Sequence, residues 1–251
     1  MNAIVPPDYF HADLLHPSRR LWKHLLADCS QGTIETNILG LDRKGDTPGA
    51  LAPEIWFSFL KTGNPSELLG ICDHNLRDIK GLAVLTLLLA KIAASPLHTL
   101  ENFKFDLEEL ALLWREKVIS YTRLHREILE EKAQAENLLK AAAKLYMPRA
   151  IFFLGLDLLK TGEKEKGRQF LLFLALTATA CQDIRASALR ALAIDAERQL
   201  NDPKSALNYT EFALALSGIR KSQREELNRR KERLLRKQNV ATAVAESPVS
   251  G

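Results

Sequence analysis

Proline and glycine crowd the first 65 residues of this 251-residue chain and become sparse over the last 150. Both residues interrupt regular helix, so their distribution separates a region of short elements from one free to run as long helices. The change falls near residues 95–106. In the first region Asp13 is placed to cap a helix start, and an amphipathic helix is expected over 19–26. Ser30 or Gly32 starts a further short helix that Gly40 stops, and Gly45-Asp-Thr-Pro-Gly49 has turn chemistry. Pro53 opens a helix that Gly63 ends, and its Trp56, Phe57 and Phe59 are expected to supply core surface. From Ser66 the apolar spacing is helical almost to Ala94, with a kink expected near Gly81.

The second region reads as successive helices over about 106–119, 122–145, 148–160, 164–179, 184–199, 203–217 and 220–238, with no convincing strand alternation. The hairpin around Leu159–Phe170 overlies the one around Gln199–Tyr209 with an offset of 39 residues, which sets Gly167 on Ala206, Phe170 on Tyr209 and Phe173 on Phe212. A small residue where paired helices cross, followed by an aromatic one turn on, resembles the tetratricopeptide pattern. The final stretch, 241–251, has too little apolar surface to fold and is expected to be a disordered tail.

Composition narrows the function classes. With 46% hydrophobic and 26% charged residues the chain is ordinary globular protein, neither collagen-like nor wholly disordered. Cys29, Cys72 and Cys181 stand far apart in no C-x-x-C spacing, which argues against a zinc ribbon or a disulfide framework and for a reducing, cytoplasmic compartment. The longest apolar run, Gly81 to Ala90, is half of the ~20 residues a membrane helix needs, so no membrane partner is expected. The amino end carries no export signal. Of the net charge of +4, residues 220–237 hold nine Lys/Arg against three Glu, so the remainder is slightly acidic. Such a basic segment either touches nucleic acid or is a solvated helix face. No Walker loop, Gly-x-Gly-x-x-Gly or nucleophile elbow occurs, and His11, His16 and His24 lack zinc-ligand spacing.

One constellation carries possible chemistry. In Cys72-Asp-His-Asn-Leu-Arg-Asp78-Ile79, His74 and Asp78 are four positions apart in a helical pattern, about 400° of rotation, so both leave one face of the helix. A carboxylate that binds a divalent cation beside a group that orients water is the minimum for metal-assisted phosphodiester hydrolysis. Asp13-Leu-Leu-His-Pro-Ser-Arg-Arg-Leu-Trp22, Thr33–Gly40, Gly45–Gly49, Pro53–Gly63 and His74–Asp78 follow in one order. Together they resemble the carboxy-terminal part of the bacterial ribonuclease H-like exonuclease domain, the YprB-like branch of the DEDD superfamily, over about residues 8–94. The resemblance implies 3′–5′ hydrolysis of nucleic acid with Mg2+ or Mn2+ held by four acids. It makes Asp78 the fourth metal ligand and His74, where the family usually has Tyr at this spacing, the group that orients water. Arg19 and Arg20 become candidate phosphate contacts, Asp13 a capping acid and Asp46 a candidate loop residue.

The same resemblance shows what this sequence lacks. The family's first strand carries Asp-x-Glu and a second acidic motif follows it, whereas the residues before Asp13 hold a single acid, Asp8. The Asp-x-Glu triplet Asp106-Leu-Glu108 opens a helix, where Asp106 reads as a cap. The expected fold is therefore mainly α: a truncated ribonuclease H-like segment over 1–100, most of its sheet missing, and a tetratricopeptide-like array over 101–240. The expected function is a portion of a metal-dependent exonuclease, inactive as this chain alone because three of four metal-binding acids are absent. The alternative is a non-catalytic module whose repeats bind a protein partner. A sheet-less segment would leave the apolar faces at Trp56, Phe57 and Leu82–Leu89 without a partner layer.

Overall fold

The structure, a computed structural model, describes residues 12–123 and 129–245. Every regular element among them is helical, and none of these helices is long and apolar enough to cross a membrane. The chain divides into two compact units, Met1–Leu110 and Ala111–Gly251.

In the first unit, α1 (Leu15–Trp22) starts where the Leu15 N–H donates to Asp13 Oδ1 at 2.8 Å. It ends on Trp22, fully buried, whose indole N–H donates to the Lys104 carbonyl at 2.8 Å, while the Leu21 carbonyl accepts from the Asp106 N–H. These bonds hold residues 104–106 against α1, and Phe105, Leu107 and Leu110 are buried, so the unit extends past the compositional change at 95–106. The helix α2 (Gln31–Ile34) is capped by Ser30, whose hydroxyl accepts from the Thr33 N–H, and runs directly into a π-helical turn, Glu35–Leu39. Gly40 stops it at φ 67°, a backbone region that only glycine enters at no cost. A 3₁₀ turn, Gly49–Leu51, leads into α3 (Ala52–Thr62), with Pro53 in its first turn. α4 (Ser66–Ala94) and α5 (Pro96–Leu100) complete the unit's regular elements.

The long α4 has two different faces. Gly81, Leu85, Leu88 and Ile92 are buried at helical spacing. Leu69, Leu76, Ile79 and Leu87 are exposed, as are Trp56 and Phe57 on α3, at 49% and 61%. The aromatics of α3 therefore do not supply core, contrary to the sequence expectation, and α3 buries no residue at all. Amphipathic spacing reveals that a face is apolar without revealing what covers it. Gly81 is a packing residue: a Cβ there would collide with the Glu35 carboxylate.

Helix α6 (Leu107–Arg123) is capped as expected, the Glu109 N–H donating to Asp106 Oδ1 at 2.9 Å. In the second unit α7 (Leu129–Lys144), α8 (Pro148–Thr161), α9 (Lys164–Leu176), α10 (Gln182–Arg198), α11 (Pro203–Ala215) and α12 (Lys221–Ala245) follow, each packed on the next. Alanine explains the centre of this array. Ala186, Ala188, Ala191, Ala193 and Ala196 are buried on several sides of α10, whose small cross-section lets α8, α9 and α11 all reach it. Where α8 and α9 cross, a Cβ on Gly167 would lie 2.8 Å from the Gly155 carbonyl oxygen and 2.9 Å from the Leu159 nitrogen. The positions matched at an offset of 39 share their burial: Gly167 and Ala206 are buried, Phe170 and Tyr209 pack partly buried on one core cluster, and Phe173 and Phe212 are exposed.

The basic α12 spends most of its cations within the unit. Arg220, just before the helix, pairs with Asp183, Arg224 donates to the Leu214 and Leu216 carbonyls, and Lys231 pairs with Glu211. Arg230, Arg233 and Lys237 converge on Glu197, and Arg233, which contributes most, together with Lys237 holds its carboxyl at a pKa of about 2 against the opposing effect of burial. Leu227 and Leu234 anchor this helix, fully buried. It continues to Ala245, and residues 246–251 of the expected tail lie outside the described residues.

The α8–α9 crossing yields a first prediction. Gly167→Ala improves helix propensity by about 1 kcal/mol but forces two backbones apart, an overpacking cost of about 1–3 kcal/mol. Thermal denaturation of the variant is expected to show a lower midpoint, and an unchanged or raised one would contradict the close crossing.

Candidate functional site

His74 and Asp78 do lie together. One turn apart on α4, His74 Nε2 stands 3.4 Å from Asp78 Oδ2, and His74 Nδ1 stands 3.0 Å from Asp46 Oδ1. Asp46 reaches this face through a turn in which its N–H donates to the Arg43 carbonyl at 3.1 Å, with Gly45 at φ 70° in the third position. A positive φ there is the glycine position of a type II turn, and the turn brings the Arg43 and Asp46 side chains side by side. Gly49 leaves room for the imidazole, since a Cβ would stand 3.3 Å from His74 Nε2.

Arg43 is the centre of the cluster. Its Nε donates to Glu35 Oε2, one Nη to Asp78 Oδ1, and the other to Asp46 Oδ2 at 3.2 Å. Three carboxylates thus face one guanidinium. Glu35, on the π-helical turn, has a side chain only 3% exposed, and its other oxygen accepts from Gln31 Nε2 at 2.7 Å. The same amide donates to the Asp78 carbonyl at 2.8 Å, which ties α2 to α4. The hydrogen bond to Glu35 does most to raise the Arg43 pKa, against burial, with the bond to Asp78 adding to it. Burial pushes the Asp46 carboxyl up, but the hydrogen bond and charge of His74, with Arg43 and Arg77, outweigh it and hold Asp46 below its ordinary value.

The other candidates lie elsewhere in the unit. Arg19 is exposed on α1, and Arg20 is brought to Glu109, a carboxylate 4% exposed, at 3.5 Å. His16 is exposed beside Asp13, His24 is exposed, and Asp8 and His11 lie outside the described residues. Sequence reasoning did not single out Glu35 or Arg43. A signal exists for Glu35, an acid directly after the buried Ile34 in a segment that resembles the family, because a carboxylate in such a place calls for a counter-ion. Nothing in the local sequence marks Arg43 as that counter-ion.

With this geometry in view, comparison with known proteins agrees with a ribonuclease H-like segment at the start of the chain. Residues 2–90 match the RNase_H superfamily. The uncharacterized protein YprB of Bacillus subtilis (strain 168) is 44% identical over 92 residues, which are 37% of this chain and 22% of that protein. This chain therefore covers under a quarter of the length of that relative. No solved structure matches it. RNase H-like proteins generally use divalent metals. The residues described here do not fit one: no group of three or more His, Cys, Asp or Glu among them could hold a metal ion. Where Glu35, Asp46 and Asp78 converge, Arg43 supplies positive charge.

Removing one partner of a buried ion pair leaves an uncompensated charge, at a cost of about 3–5 kcal/mol. Arg43→Gln is expected to lose about that much stability in urea denaturation. Adding Glu35→Gln should recover at least about half of it, because the stranded carboxylate is then gone. A double variant no more stable than the single one would show that the two side chains are not coupled.

Proposed function

We propose that the segment over about residues 8–94 is the carboxy-terminal part of a ribonuclease H-like, DEDD-type 3′–5′ exonuclease domain, and that this chain by itself does not hydrolyse nucleic acid. The observation that carries the reading is the state of Asp78. Its carboxylate is engaged by Arg43 and His74, and a two-metal clamp needs several anionic oxygens around cations about 4 Å apart. Asp78 is the residue we assign to Mg2+ or Mn2+, and His74 to a water, only within an assembly that brings an Asp-x-Glu strand and the second acidic motif. The uncovered apolar faces of α3 and α4 support the same reading, since a helix layer of an α/β domain buries such faces on a sheet. Arg19, exposed on α1, is the better placed of the two arginines to meet a phosphate. Three free thiols accord with a cytoplasmic setting.

A second reading is favoured by a separate observation, the paired burial of positions 39 residues apart in the helical array. In this reading α8–α12 form a tetratricopeptide-like module that binds a protein partner, with or without nuclease chemistry in the same chain.

The test is trimming of 3′-labelled and 5′-labelled single-stranded DNA and RNA by the purified chain with Mg2+ or Mn2+. No trimming is expected. Metal-dependent 3′–5′ trimming abolished by Asp78→Ala would overturn the proposal.

A further inference from the structure

The second unit contains a groove of about 620 Å3 between α8 and α10, within the range of ligand-binding clefts. Its floor is aliphatic, built from Leu156 and Leu159 on α8 and Ala191 and Ile194 on α10. Its walls are basic: Lys160, Lys164, Arg190 and Arg198 face a single lining carboxylate, Asp195.

Following each charge to its partner shows that the walls keep a positive surplus. Asp195 is committed to Arg168 at 2.6 Å, outside the groove lining. Lys164 donates to the neutral Gln199 amide oxygen at 2.8 Å. Lys160 is 4.0 Å from Asp157, but that carboxylate already accepts both hydrogen bonds of a two-pronged contact from Arg115, at 2.9 Å each. Arg190 is paired with the Glu226 carboxylate of α12, which fixes the guanidinium in place. Arg198 is exposed and has no ion-pair partner among the described residues. Beyond the groove, Glu197 is met by three cations, which adds to the positive field.

We infer that this groove binds an extended acidic peptide segment of a protein partner, with an aliphatic side chain on the floor and flanking Asp or Glu carboxylates on Lys160, Lys164 and Arg198. The inference rests on the second reading above, in which the array receives a protein. An aliphatic floor favours a peptide over a nucleic-acid single strand, whose binding draws on exposed aromatic rings for base stacking. The aromatic ring in the lining, Phe152, is partly buried and packs edge-on against Phe153 at 5.2 Å instead of offering a free face. Carboxylates would gain charge-assisted hydrogen bonds from Arg198, which has no ion-pair partner among the described residues, from Lys164, held only by a neutral amide, and from Lys160, whose contact with Asp157 is long at 4.0 Å.

The test is selection of a random dodecapeptide phage library on the immobilised full chain, followed by affinity measurement of the enriched peptides on the chain and on Lys164→Glu/Arg198→Glu. Both substituted side chains line the groove, and circular dichroism checks that the variant folds. Enriched peptides are expected to carry two or more Asp/Glu around an aliphatic residue and to bind the variant at least about tenfold more weakly. Enriched peptides without carboxylates overturn the inference. Acidic peptides that bind the variant as tightly overturn the groove while leaving the array as a protein-binding module. A library that enriches nothing overturns both. A twelve-nucleotide single strand that binds the chain more tightly than every selected peptide also overturns it, in favour of nucleic acid.

Discussion

The Arg43 guanidinium is the interaction on which the first unit depends. It joins the π-helical turn, the Arg43–Asp46 turn and α4 by pairing with one carboxylate from each, Glu35, Asp46 and Asp78. Carboxylates so close together repel one another, most strongly around the buried Glu35, and the cation between them offsets that repulsion. Gly81 belongs to the same design, since it clears the space in which the Glu35 carboxylate sits. His74 extends the network by setting one ring nitrogen against Asp46 and the other against Asp78. His74 and Asp78, the pair that the sequence resemblance assigns to water and metal, also lie at the edge of this ion-pair network.

Local features of the fold were legible because they depend on neighbours in sequence. The Ser30 cap, the Gly40 and Gly63 stops, the Asp106 cap and the shared face of His74 and Asp78 all follow from spacings of a few residues. The Arg43–Asp78 pair spans 35 positions and the Gln31–Asp78 bond 47, and no helical or turn period connects residues so far apart. The exposure of Trp56 and Phe57 was misread as core for a related reason: periodicity identifies a sticky face, whereas burial depends on what comes to cover it. The resemblance to an exonuclease domain over residues 8–94 anticipated uncovered faces, and residues 2–90 match the RNase_H superfamily.

The second unit follows a simpler rule. Small residues set the distance between helices: glycines where α8 meets α9, and alanines around α10. Charge then separates its surfaces. The cations of α12 are largely spent on carboxylates and carbonyls within the unit, so the segment with the greatest formal charge is mainly a structural strut. The unspent cations sit instead on α8, on α10 and at the start of α9, around an aliphatic floor. Net charge along a sequence does not distinguish these cases, because what matters is whether each cation has an acceptor within reach.

The central claim is that Arg43, not a metal ion, supplies the positive charge at the carboxylate cluster. Its most direct test is Mn2+ binding to the purified chain, followed by electron paramagnetic resonance. The account predicts no stoichiometric Mn2+ site at micromolar metal. A one-to-one Mn2+ site that disappears on Asp78→Asn would contradict it.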